Sequence, residues 1–582
     1  MTVPPPFVVA QTQLMNEQYK PAFKTAKAAM ARHPKDARFP NLAGVALCGL
    51  GQQREAVALF QKAIRLDPGL TDAQRNLAQT LILLEMADKA LTMLDRTVAA
   101  HPGDEAAHYL RAQALSQLGR NAEAEAAVSR ALELEPRQPR SLNLRGVLRE
   151  RLGLIDAALA DFEAALALAP NNVETLINIS LPLARQTRHA AALEAAARAV
   201  ALAPGHLGAG LRLAMAYVEA GRPEDAAAEY RRVLQLAPQN GEAIEQLAGL
   251  QDRAGNAALR PVAEAALKRA AARSPDRAAL RFALARIAEQ AGETADARRH
   301  LAEANREMAR ARPYDAAADS ALSRTIMARF PEAPAAAEAA AEAVTPIYVL
   351  GLPRSGTTLA EAVLAAHPDV KGLGEQIAAG RFFYPLIEAD RPIGASELAE
   401  FRATERRLHP PLPEGCRAFV DKMPENYRLV GFLKAAHPGA RIVHLRRDPR
   451  DVALSMWRGH FAGSALNYTY DLKAMAHRFN LYAEIMAFWH NRFPGQILDL
   501  AYEEMTADVE GTSRRLADYC GLDWVPQMAR PHETETAVLT LSATQLRQPV
   551  HRRAVGRWRP HAEMLKPLIE GLDPALWPGL EP

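Results

Sequence analysis

Residues 347–358 read Ile347-Tyr-Val-Leu-Gly-Leu-Pro-Arg-Ser-Gly-Thr-Thr358. Four apolar, β-rich residues, Ile347 to Leu350, lie between Pro346 and Gly351 and predict a buried parallel strand. The residues that follow, LAEAVLAAHP (359–368), have helical spacing. Strand, glycine loop and helix in that order bring backbone N–H groups and a helix N-terminus to one point. That arrangement holds a phosphate.

Gly351 and Gly356 keep the glycine spacing of the loop G-x-x-x-x-G-K-[ST], but Thr357 stands where the lysine belongs. The missing lysine is the group that reaches the β- and γ-phosphates of ATP, so a nucleotide kinase is disfavoured. A second stretch, ARIVHLRRDPRDVALS (440–455), repeats the strand-to-helix layout. Ile442 to Leu445 reads as a strand; Arg447 follows it and Ser455 lies on the next helix. A guanidinium gives bidentate bonds to a dianionic phosphate, and a hydroxyl adds a neutral donor. A third stretch, LSATQLRQPVHRRAVGRWRPH (541–561), is basic, with Arg552 and Arg553 ahead of Gly556 and Trp558. Tyr502 stands in LAYEEM after the strand-like Ile497-Leu498.

Together these stretches resemble the sulfotransferases. The P-[RK]-S-G-T-T loop of that family binds the 5′-phosphosulfate of the donor 3′-phosphoadenosine 5′-phosphosulfate, and an R-x7-S pair grips its 3′-phosphate. The resemblance implies donor contacts from Arg354, Ser355, Gly356, Thr357, Thr358, Arg447, Ser455, Tyr502, Arg552 and Arg553. Trp558 reads as a packing residue. The histidine base of small-molecule sulfotransferases lies in a K-T-H-L-P segment, whose counterpart here, Asp421-Lys-Met-Pro424, has no histidine. The chain is more similar to protein-tyrosine sulfotransferases, which place a glutamate base after the loop, the helix and a His-Pro pair. Here the order is Pro353 to Thr358, then His367-Pro368, then Gly374-Glu375. That resemblance makes Glu375 the base, with Lys422 and Ser542 steadying the sulfuryl group in flight. Arg381 matches an arginine used near the peptide; Ile377 replaces another. His367 and His444 read as structural, and no spacing of Cys, His and carboxylates suggests a metal.

Upstream, prolines fall at 34, 68, 102, 136, 170, 204 and 238, always 34 residues apart. Twelve residues before each stands Ala22, Ala56, Ala90, Ala124, Ala158, Ala192 or Ala226. Five before it stands Ala29, Ala63, Thr97, Ala131, Ala165, Ala199 or Val233. Seventeen before it stand Gly51, Gly119, Gly153 and Gly221, with Glu17, Glu85 and Thr187 breaking the column. Small residues let paired helices approach, glycine suits the turn between them, and proline ends the second helix. The pattern resembles the tetratricopeptide repeat, which implies a right-handed superhelix that binds a protein or peptide. Pro275 and Pro313 mark two looser units. Residues 331–345, PEAPAAAEAAAEAVT, read as a helical connector.

The expected organisation is a tetratricopeptide solenoid over 1–320, a connector over 321–345 and an α/β, P-loop-like sulfotransferase domain with a central parallel sheet over 346–582. A net charge of +3 over 582 residues gives no sequence-wide attraction to nucleic acid or membrane. No apolar run reaches the roughly 18 residues of a membrane span, and no secretory leader is legible. Three scattered cysteines, Cys48, Cys416 and Cys520, fit a reducing, cytoplasmic setting. The expected function is sulfuryl transfer to an acceptor hydroxyl, a protein tyrosine being the acceptor the resemblance suggests. The rival reading is a catalytically inactive repeat scaffold.

Overall fold

The computed structural model describes residues 5–186, 188–272, 274–330, 344–461, 465–533 and 549–580. By packing, the chain divides into two units. One is Met1–Leu183 with Ala201–Ala203, and the other is Ala184–Val200 with Pro204–Pro582.

In both units the repeat pattern becomes helical hairpins. The second helices end at Arg32, Leu66, Ala100, Leu134, Leu168, Leu202 and Leu236, each two residues before its proline. Proline cannot extend a helix, so the stop recurs with the 34-residue step. Both small-residue columns are buried, from Ala22 through Ala226 and from Ala29 through Val233. A larger side chain there would hold the paired helices apart. Gly51, Gly119, Gly153 and Gly221 all take left-handed φ, between 70° and 76°. A Cβ on Gly51 or Gly119 would meet nothing within 4 Å, so the turn's dihedral, not its space, selects glycine there. The column breakers Glu17 and Glu85 adopt the same turn, at φ 56° and 59°. Thr187 lies outside the described residues.

The second unit also holds a five-stranded, all-parallel sheet: β1 (Thr345–Gly351), β2 (Val370–Gly372), β3 (Ala418–Asp421), β4 (Arg441–Arg446) and β5 (Ile497–Ala501). The order is β2-β3-β1-β4-β5. Ile347, Val349, Val443 and Leu445 face one hydrophobic cluster with Leu359, Val363 and Leu516. Tyr348, Leu350 and Ile442 face the other, with Phe383, Tyr427 and Trp489. Burial of both faces explains why β1 and β4 read as unbroken apolar runs. The second cluster continues into the helices Pro275–Ala291 and Thr294–Ala311 through Ala278, Phe282, Leu301 and Met308. Phe330, after the helix Ala316–Arg329, packs edge-on against Trp489 at 5.1 Å between centroids. An apolar ring buried this way stabilises by about 1.5–3 kcal/mol.

The chain leaves β1 towards β2 and β3 on one side and later fills β4 and β5 on the other. The crevice at the C-terminal ends of β1 and β4 is therefore the switch point where such sheets bind ligands. Residues 331–343 of the expected connector lie outside the described residues.

Candidate functional site

The loop after β1 feeds helix α1 (Thr357–Ala365). Ser355 N–H donates to Leu352 O at 3.1 Å, closing a tight turn, and Leu359 and Ala360 donate to Gly356 O. The N–H groups of Thr357 and Thr358, at the start of α1, precede any intrahelical partner, the arrangement by which a helix N-terminus holds an anion. Arg354 sits at the apex with φ 71°, a left-handed conformation costly for a side-chain-bearing residue. Its Nε donates to Ser455 Oγ at 3.0 Å, on helix α2 (Pro449–Trp457) beyond β4. The two sequence motifs therefore meet. Arg447 Nη1 donates to Arg354 O at 2.9 Å, and its guanidinium lies 4.3 Å from the Tyr502 ring centre. Tyr502 also closes over Gly356, where a Cβ would stand 2.4 Å from Tyr502 Cδ2, so only glycine fits beneath the ring. Burial first, then the charge of Arg447, depress the Arg354 guanidinium. Two arginines held together in a buried crevice favour an anion between them.

Among the described residues, the buried Ser355 Oγ and Arg447 Nε have no hydrogen-bond partner. Ser355 is only 1% exposed, so its hydroxyl would have to find a partner in a ligand or water. Thr357 and Thr358 are buried alongside it. These donors fit a phosphosulfate at the loop and a second phosphate at Arg447.

The basic C-terminal segment lies against the same place. Arg447 Nη2 donates to Ala554 O at 2.7 Å, and Asp451 of α2 accepts from Gly556 N at 2.6 Å and Trp558 N at 2.9 Å. Trp558 is buried under Arg450, whose guanidinium lies 3.8 Å from the ring centre. Arg552 and Arg553, just before Ala554, are exposed. Helices of the repeat region brace this segment: Arg298 donates to Pro560 O at 2.6 Å, and Glu289 pairs at 2.9 Å with Arg458, which bonds His561 at 3.1 Å.

A second cluster follows β3, the neighbour of β1. Lys422 Nζ lies 2.7 Å from Glu375 Oε1; Lys422 is 1% exposed and Glu375 48%. Lys422 N–H donates to Gly374 O at 2.9 Å, pinning the turn that carries Glu375. Ile377 is 43% exposed beside it. Arg381, on the helix Ala378–Glu388, is depressed by burial and then by Arg407. Ser542 lies outside the described residues.

Sequence reasoning missed two carboxyls here. Asp421 is buried, accepts from Gln376 N at 3.3 Å and Asn426 Nδ2 at 3.0 Å, and is pushed well up by burial. Glu361 of α1 is 6% exposed and accepts from Gly374 N–H at 2.6 Å. The histidines have structural partners. His367 bonds Asp523 O at 3.0 Å and accepts from Asp369 N at 3.1 Å. His444 bonds Asp499 at 2.7 Å and Tyr482. With His490, His444 and Asp499 form a group whose potential ligand atoms lie within 4.8 Å of one another. The spacing of these residues in the sequence gives no sign of it.

Residues 346–526 match the model of the sulfotransferase family, and residues 49–114, 109–173 and 183–250 match tetratricopeptide-repeat models. The chain thus carries tetratricopeptide repeats followed by a sulfotransferase-family domain. It is 33% identical over 246 residues to an uncharacterised protein of Aquifex aeolicus strain VF5, covering 39% of this chain and 32% of that one. The chain therefore spans about a third of that relative's length. A protein of Caenorhabditis briggsae, whose name places it provisionally among protein-tyrosine sulfotransferases, is 27% identical over 231 residues, 36% of this chain and 80% of its own. Human sulfotransferase 4A1 is 24% identical over 239 residues, 37% and 73% of the two chains. Among solved structures, the APC/C hetero-tetramer Cut9–Hcn1 is similar with a TM-score of 0.39 and 18% identity, over 42% of this chain and 48% of that one.

Proposed function

We propose that this protein moves a sulfuryl group from 3′-phosphoadenosine 5′-phosphosulfate to an acceptor hydroxyl. The observation that carries this reading is the meeting of Arg354, Ser455 and Arg447 in one crevice, joining two motifs 101 residues apart in the chain. The donor, when bound, supplies an activated sulfuryl group on a good leaving phosphate. The chain's residues do the rest. Arg354, Ser355 and the N–H groups of Gly356, Thr357 and Thr358 hold the 5′-phosphosulfate. Arg447 and Ser455 hold the 3′-phosphate, Tyr502 flanks the loop, and Arg552 with Arg553 closes the C-terminal segment over the nucleotide.

Glu375, half-exposed, takes the proton from the acceptor hydroxyl as its oxygen bonds sulfur. The bond from sulfur to the phosphate oxygen breaks, and Lys422 and Ser542 stabilise the charge that develops. The relative from Caenorhabditis briggsae supports a tyrosine acceptor. Residues 1–320 form the array that recruits a protein or peptide, 321–345 the connector and 346–582 the transferring domain. The free cysteines suit a cytoplasmic setting. Calorimetry of the full chain with 3′-phosphoadenosine 5′-phosphate tests the donor assignment. Micromolar or tighter binding, on the order of −8 kcal/mol, is expected; no binding overturns it.

A further inference from the structure

We propose that Glu361 is a positioning residue that sets the reach of the base Glu375, an inference resting on the sulfotransferase reading above. Nothing in the sequence pattern marks Glu361: in LAEAVLAAHP it occupies a position that reads as a helix's polar face. In the fold that position points inward. Glu361 is buried on α1, and its Oε1 accepts from Gly374 N–H at 2.6 Å. The other end of the same short segment is held from β3, where Lys422 N–H donates to Gly374 O at 2.9 Å.

Gly374 is therefore gripped on both sides, its N–H by a carboxyl from the phosphate-binding helix and its C=O by the residue whose side chain pairs with Glu375. Glu375 is the next residue along. A peptide fixed from both sides permits little rocking, so the Glu375 carboxylate is placed relative to α1 and to whatever the loop holds. Gly372, at the end of β2, leaves Glu361 the room to make this contact, since a Cβ there would stand 3.3 Å from its Oε1. The Glu361 carboxyl also faces Lys422 electrostatically, and burial raises its affinity for a proton. Positioning needs only an acceptor oxygen, which either protonation state provides.

A hydrogen bond from a backbone N–H to a buried carboxyl is among the stronger ones, and a misplacement of about 1 Å at a base costs on the order of 100-fold in rate. The test uses the full chain and two variants, Glu361→Ala and Glu361→Gln. Three quantities are read: hydrogen exchange of the Gly374 amide, affinity for 3′-phosphoadenosine 5′-phosphate, and steady-state turnover with the phosphosulfate donor and an acidic tyrosine peptide as acceptor probe. In Glu361→Ala the Gly374 amide should exchange roughly 30-fold faster. Its kcat should fall on the order of 100-fold, with nucleotide affinity and KM nearly unchanged. Glu361→Gln, whose amide oxygen still accepts, should keep the protection and recover most of the rate. Unchanged Gly374 exchange in Glu361→Ala, or an equal loss in both variants, overturns the proposal. Failure of the wild-type chain to bind the nucleotide overturns the sulfotransferase reading instead, and the exchange comparison still decides whether Glu361 holds the turn.

Discussion

Lys422 Nζ lies 2.7 Å from Glu375 Oε1, one side chain almost wholly buried and the other half-exposed. The lysine is enclosed by the fold, and the glutamate is the half of the pair that solvent reaches. Lys422→Ala should cut kcat by about 100- to 1,000-fold, the scale of losing one group that stabilises developing charge. The affinity for 3′-phosphoadenosine 5′-phosphate should change far less. Single-turnover kinetics beside calorimetry checks the split.

Arg447 ties the loop, Tyr502 and the C-terminal segment together through Arg354 O and Ala554 O. Among the described residues its buried Nε has no hydrogen-bond partner, which leaves that atom available to the 3′-phosphate of the proposed donor. Arg447→Ala should weaken binding of 3′-phosphoadenosine 5′-phosphate by about 10- to 100-fold. It should weaken binding of adenosine 5′-phosphate much less. Calorimetric comparison of the two nucleotides isolates that contact. Arg447→Lys should not restore it, because an ammonium lacks the planar fork.

The repeat turn offers a reciprocal pair of substitutions. Gly119 holds φ 75° with open space around it, and Glu85 holds φ 59° at the equivalent turn. Gly119→Ala should destabilise by about 1 kcal/mol, and Glu85→Gly should stabilise by a similar or smaller amount. Thermal melting followed by the helical circular-dichroism signal reads both signs.

The 34-residue turns were legible because a helix stop, a turn dihedral and a close helix approach each restrict residue type at a fixed offset. Likewise β1 and β4 announced themselves, since burial on both faces makes a strand uniformly apolar. β2, at three residues, is too short to show a period. Glu361 and Asp421 stayed hidden for another reason. Periodicity tells which side of an element is polar, but not that a polar position is covered by Gly374 or Gln376 from a segment folded over it. His444 sits in the middle of a strand, and its partners Tyr482 and Asp499 are far along the chain.

His561, 3.1 Å from Arg458, gives a pH dependence. Burial, then Arg458, Arg298 and Arg557, push it down to about 4, against an ordinary 6.5. The folded chain therefore binds fewer protons here than the unfolded one. Stability is fully present above about pH 6.5 and declines as pH falls towards 4. His561→Asn should lose less Tm between neutral pH and pH 5 than the wild type does. An identical loss would show that this histidine does not contribute.

The most direct measurement is transfer of radiolabelled sulfate from 3′-phosphoadenosine 5′-phosphosulfate to a panel of acceptors: a tyrosine peptide, a saccharide, a lipid and a simple phenol. The full chain should label at least one of them. Glu375→Gln should reduce the labelling at least about 100-fold while binding the product nucleotide as tightly as the wild type. A chain that binds the nucleotide yet labels none of them, or a Glu375→Gln variant as active as the wild type, would contradict sulfuryl transfer with Glu375 as the base.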